Sequence, residues 1–104
     1  LGELQKAQSK AMLDITEQNI RMGINAAYTK YQEAQQNVLI MKESRKLAQE
    51  NYRITEAKYF NQLSIQAEMT DATNAKLEAE LNYSNAEINV FYQYYNLLKS
   101  TGTL

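Results

Sequence analysis

The stretch AKYFNQLSIQAEM, residues 57–69, interrupts an otherwise regular helical pattern. On both sides of it apolar residues recur at steps of three and four, the spacing of one helix face. The stretch itself holds neither glycine nor proline. Asn61 is its best candidate for left-handed backbone, so a helix over about 3–60 is expected to turn through 61–64 and restart over about 65–100. Ser64 is the expected N-cap of the second helix. Glu68 and Asp71 follow in its first turns, where carboxylates favour the exposed amide end of the dipole.

Composition supports long helices. The 104 residues include three glycines and no proline, cysteine, histidine or tryptophan. Ala, Gln, Glu, Leu and Lys are abundant and all favour helix, while strand formers are dispersed. Without Cys or His, a soft metal site or a Cys-His nucleophile is excluded from this chain. No apolar run approaches the roughly 20 residues of a spanning helix, and residues 1–20 lack the pattern of an export signal. Eleven basic against 12 acidic residues, scattered and not striped, argue against a nucleic-acid surface.

In the first arm Ile20, Ile24, Ala27, Tyr31, Ala34, Val38, Met41, Ala48, Tyr52 and Tyr59 keep heptad spacing, with Arg45 and Thr55 at the two polar interruptions. A second line, Met12, Ala26, Ile40, Leu47 and Ile54, widens that face. In the second arm the seam is Ile65, Met69, Ala72, Ala79, Tyr83, Ala86, Val90 and Leu97, interrupted by Lys76 and Gln93. Another line, Leu77, Leu81, Ile88, Phe91, Tyr95 and Leu98, occupies a different side. The alanine-rich seam allows close approach of backbones, and the larger residues require neighbours on more than one side.

At about 1.5 Å per residue the arms would measure roughly 85 and 50 Å. Met12, Leu13, Ile15, Ile20, Met22 and Ile24 should therefore overhang without an internal partner. Another copy, another chain or another part of a longer protein is expected to cover them. The fold expected is all-α, a long antiparallel helical hairpin of coiled-coil type.

The segments AQENYRITEAKY, EMTDATNAKLEAELNYSNAEINVFYQYYNLLKS and the terminal TGTL resemble the TolC-like outer-membrane efflux proteins, trimeric outer membrane factors of Gram-negative bacteria. Glu68-x-x-Asp71-Ala72, then Ala79, Glu80, Leu81, Asn82, Ala86, Leu97 and Gly102, carry the resemblance, which covers most of the chain and matches the second, C-terminal hairpin of that family. It implies a section of a trimeric α-barrel crossing the periplasm below an outer-membrane β-barrel, for export of small molecules or proteins. It also implies a periplasmic adaptor and an inner-membrane transporter as partners. No cofactor or dedicated metal site is expected, although six carboxylates around the opening could favour cations and bind divalent ions.

By the same resemblance Glu68 and Asp71 would line the lumen at the entrance and Tyr59 would contribute to the gate. Asn61, Gln62, Leu63 and Ser64 would form the adaptor-docking tip. Many members have glycine where Gln62 stands, and Asn61 is expected to take over that backbone role, leaving Leu63 as the apolar contact. Ser64 replaces an arginine that links to a neighbouring helix in one member, so a salt-bridged gate of that type is not implied.

Two other structural readings compete: a hairpin of a periplasmic adaptor, whose arms should be of similar length, and a free-standing coiled-coil module, which needs only one seam. Glu68 with Asp71 is a carboxylate pair without a nucleophile or histidine, so no enzyme is expected. Phe91, Tyr92, Tyr94 and Tyr95 are expected in inter-helix packing, and Asn82, Asn85 and Asn89 on a wet surface or the tube interior. The isolated chain is expected to self-associate.

Overall fold

The computed structural model describes residues 2–102. Leu1, Thr103 and Leu104, including the last two residues of the TGTL ending, lie outside the described residues. Two helices fold back antiparallel on each other: α1, Gly2–Phe60, and α2, Gln66–Ser100. With 59 residues at about 1.5 Å each, α1 alone accounts for the long dimension of the 89 × 20 × 15 Å molecule. Its radius of gyration of 24.6 Å far exceeds the roughly 13 Å of a globular chain of this size.

Local interactions support this length. Thr16, Thr29 and Thr73 return their hydroxyls to the carbonyls of Met12, Asn25 and Met69, one turn back. Glu17 pairs with Arg21 at 3.8 Å, and Glu50 holds Arg53 through two hydrogen bonds. The Arg53 guanidinium accordingly lowers the Glu50 carboxyl below its usual range.

The first helix ends in a paired backbone lock. Leu63 N–H donates to the Lys58 carbonyl at 2.8 Å and Gln62 N–H to the Tyr59 carbonyl at 3.0 Å, the two bonds of a Schellman ending. The left-handed residue is Gln62, at φ 62°, and not Asn61. Asn61 instead makes a helical bond to Ala57, so the helix runs one residue further before it reverses, and the left-handed geometry falls on Gln62. The cap of α2 also differs from expectation: Ile65, extended at φ −93° and ψ 161°, precedes the helix and makes no side-chain cap bond. Ser64 lies one residue too early to cap. Its hydroxyl donates to the Glu68 carboxylate at 2.6 Å, linking the turn to the first turn of α2.

The seam between the arms follows the heptad spacing. Buried or half-buried positions in α1 include 24, 27, 31, 34, 38, 41, 45, 48, 52 and 55; in α2 they include 69, 72, 76, 79, 83, 86, 90, 93 and 97. Arg45, Thr55, Lys76 and Gln93 therefore belong to the interface despite their polarity. Ala34, Ala72, Ala79 and Ala86 form the buried core, and among the described residues no large side chain is fully buried. Small side chains let the helices approach closely, at the cost of removing little apolar surface from water.

Residues 2–23 of α1 are exposed throughout. Ile24 is half-buried, so it closes the paired region and is not part of the overhang. At the other end of α2, Thr101 N–H reaches the Leu97 carbonyl and Gly102, at φ 77°, reaches that of Lys99. The Ser100 and Thr101 hydroxyls occupy the carbonyls of Leu97 and Leu98. The carbonyls of Leu97, Leu98 and Lys99 in the last turn are thus satisfied without a partner helix.

Candidate functional site

The most specific chemistry lies midway along the paired region. Arg45 and Lys76, the charges that break the two apolar seams, each lie over a tyrosine of the opposite helix. The Arg45 guanidinium carbon is 4.0 Å from the centroid of Tyr83, and the Lys76 ammonium 4.3 Å from that of Tyr52. The negative face of an aromatic ring attracts a cation placed there. Each phenol in turn bonds to a carboxylate one turn on, Tyr52 to Glu56 and Tyr83 to Glu87, and that hydrogen bond pushes the phenol pKa up in both. Arg45 partly offsets the rise at Tyr83.

The two sets are related by a repeat. Arg45, Tyr52 and Glu56 recur as Lys76, Tyr83 and Glu87, each 31 positions later. An antiparallel helix pair has a local two-fold axis, and this repeat obeys it, with Ala48 and Ala79 in the layer between the clasps. By spacing alone, Arg45 and Lys76 are only interruptions of the two seams. The signal that would have found the clasps is a basic residue, a tyrosine seven on and a glutamate four further, present once in each arm. The clasps are imperfect in one respect, since the buried Arg45 Nε has no hydrogen-bond partner.

At the turn, Glu68 and Asp71 are both exposed and three apart, hence on one flank of α2. The same flank continues through Asn82, Asn85 and Asn89, which with Asn37, Met41 and Ala86 line an open groove between the helices. Glu68 also holds the Ser64 hydroxyl, so its carboxylate has a local role in ordering the turn. Tyr59 lies at the end of the seam with its ring edge-on to Phe60, centroids 6.1 Å apart. Leu63 is 77 % exposed at the apex, with Asn61 and Gln62 beside it. Among the described residues no three potential metal ligands converge, and no helix is long and apolar enough to cross a membrane.

The remaining surface is apolar. Leu77, Leu81, Ile88, Phe91 and Tyr95 on α2, and Leu39, Ile40 and Leu47 on α1, are all more than half exposed. Of the aromatic cluster, Tyr94 meets Tyr31 across the helices at 5.6 Å between centroids, while Phe91, Tyr92 and Tyr95 point away from the seam. Continuous exposed apolar lines of this kind mark surfaces for other protein. The chain matches no known protein family, no curated protein and no solved structure, and it stands as an extended antiparallel helical hairpin of coiled-coil type with surfaces for packing against further protein.

Proposed function

We propose that this hairpin is a wall element of a trimeric outer-membrane efflux channel of the TolC-like type, crossing the periplasm and carrying the entrance gate and the adaptor-docking tip. One observation carries the reading: each arm has a second apolar line that the other arm leaves uncovered. A two-helix module is complete with one seam, whereas a helix in the wall of a tube has neighbours on both sides. The unequal arms, 59 and 35 residues, fit a wall that continues past the hairpin better than they fit the matched arms of an adaptor.

In this reading the polar flank of α2, from Glu68 and Asp71 to Asn89, faces the lumen. Three copies would place six carboxylates at the entrance, a concentration of negative potential that favours cations. Tyr59 would contribute to closure, and Asn61, Gln62, Leu63 and Ser64 would meet the adaptor, behind which stands an inner-membrane transporter. The protein would reside in the outer membrane with this segment in the periplasm, and would do no catalysis.

The reading requires the gene to encode a second, related hairpin and intervening β-strands, and a gene with neither removes it. In the channel protein, Glu68→Gln with Asp71→Asn should lower cation preference and divalent block in planar-bilayer recordings. The amide oxygen introduced by Glu68→Gln still accepts the Ser64 hydroxyl, so the turn is preserved. Unchanged selectivity would refute the lumenal assignment.

A further inference from the structure

The overhang of α1 carries its own pairing code. In the paired region, Arg45 faces Tyr83 and Tyr52 faces Lys76, which fixes the register: as α1 advances seven residues, α2 retreats seven. The same seam runs backward from Ile24 into the uncovered residues as Glu17, Lys10 and Glu3 in one row, and Ile20, Leu13 and Lys6 in the other. Leu13 is 69 % and Ile20 54 % exposed. No described residue of the hairpin covers them.

We infer that a second copy of this chain docks antiparallel along residues 3–24 of α1, with Lys10 opposite Glu17 of the copy, Glu17 opposite its Lys10, and the two Leu13 side chains meeting on the two-fold axis. Charge selects this register. Shifted by one heptad either way, the seam sets Lys10 against Lys10 or Glu17 against Glu17; a parallel pair in register does both. Of these alignments only the chosen one pairs Lys10 and Glu17 with each other at both contacts, while Leu13 packs on Leu13, Ile20 on the aliphatic stem of Lys6 and Glu3 lies opposite Ile24.

Length agrees. The Tyr31–Tyr94 contact and the end of α2 at Ser100 leave the seam open from about Ile24 downward. In this register Glu3 of the second copy falls opposite Ile24, the last position of the seam that α2 reaches. One unfavourable pair remains, Asp14 beside the Asp14 of the copy on the flank of the axis. This inference uses only the charges and register of the overhang and concerns this chain on its own; in a channel the continuing wall would cover the same face instead of the second copy.

Sedimentation equilibrium on the 104-residue chain tests it. The wild-type chain should form a dimer. Lys10→Glu and Glu17→Lys, each alone, put like charges at both seam contacts and should weaken the dimer roughly tenfold or more. Mixed in equal amounts the two variants should form a heterodimer of near wild-type affinity, and the double exchange should restore the homodimer. Asp14→Asn should tighten it. Circular dichroism should show helicity retained, since Lys and Glu are similar helix formers. A wild-type monomer or trimer, or a mixture no tighter than its separate components, overturns the proposal. Because the readout is the association of this chain alone, its failure leaves the channel reading untouched, and loss of the channel reading leaves the dimer untouched.

Discussion

Arg45 lies over the ring of Tyr83, 4.0 Å from its centroid, with its Nε buried and unpaired. The contact ties the middle of α1 to the middle of α2, and its counterpart between Lys76 and Tyr52 does the same on the other side of the Ala48 and Ala79 layer. A seam of alanines is nearly featureless, so sliding by a heptad costs little packing. The clasps penalise such a slip because each cation would leave its ring.

A double-mutant cycle measures this directly. Tyr83→Leu and Arg45→Gln in urea unfolding at fixed protein concentration should give a coupling energy of about 0.5–1 kcal/mol, the range for partly exposed cation–ring pairs. A coupling of zero would show that the cation and ring are merely adjacent.

Ala79 is 7 % exposed at the centre of the helix contact. Ala79→Leu adds volume where the backbones approach, and should lower stability by about 1–3 kcal/mol, read as a fall in melting temperature. Leu substituted for Ala57, exposed on the outer face of α1, is the control and should leave the melt nearly unchanged.

Gln62 holds a left-handed φ of 62°, which costs a side-chain-bearing residue about 1–2 kcal/mol. Gln62→Gly relieves that strain but gains freedom in the unfolded chain, so a net stabilisation of about 0.5–1 kcal/mol is expected. Gln62→Val should destabilise. If glycine fails to stabilise and valine is tolerated, the reversal does not depend on this conformation.

Tyr52 and Tyr83 both have raised pKa values because of their bonds to Glu56 and Glu87. The folded chain therefore keeps these protons more tightly than the unfolded chain. Their stabilising contribution is fully present below the ordinary phenol value of about 10 and is lost as pH rises through the folded values. Spectrophotometric titration should show a late-ionising tyrosine fraction, reduced by Tyr83→Phe. Glu50 behaves oppositely: its lowered pKa adds stability above the usual carboxylate range that disappears on acidification.

Much of this architecture is legible in residue spacing. Heptad steps through Arg45 and Thr55, and through Lys76 and Gln93, identify the seam even where the residues are polar, because helical periodicity dictates which positions share a face. The overhang follows from arm lengths alone, apart from Ile24, which α2 still reaches. Less legible was the turn. Asn61 is the better left-handed residue by intrinsic preference, yet the ladder continues through Asn61 to Ala57 and the paired bonds of Gln62 and Leu63 place the reversal one residue later. A conformational preference of this size is small beside two backbone hydrogen bonds and the phase at which both seams face each other.

The sequence by itself determined that two long helices form, where each is apolar and that one outlasts the other, since these depend on local propensity and a fixed helical repeat. Only the tertiary structure decided which residue bends the chain, that Ile65 and not Ser64 precedes α2, and that Arg45 and Lys76 rest on tyrosines across the seam. Those outcomes depend on the relative register of two helices, a distance relation between residues remote in sequence that no local pattern encodes.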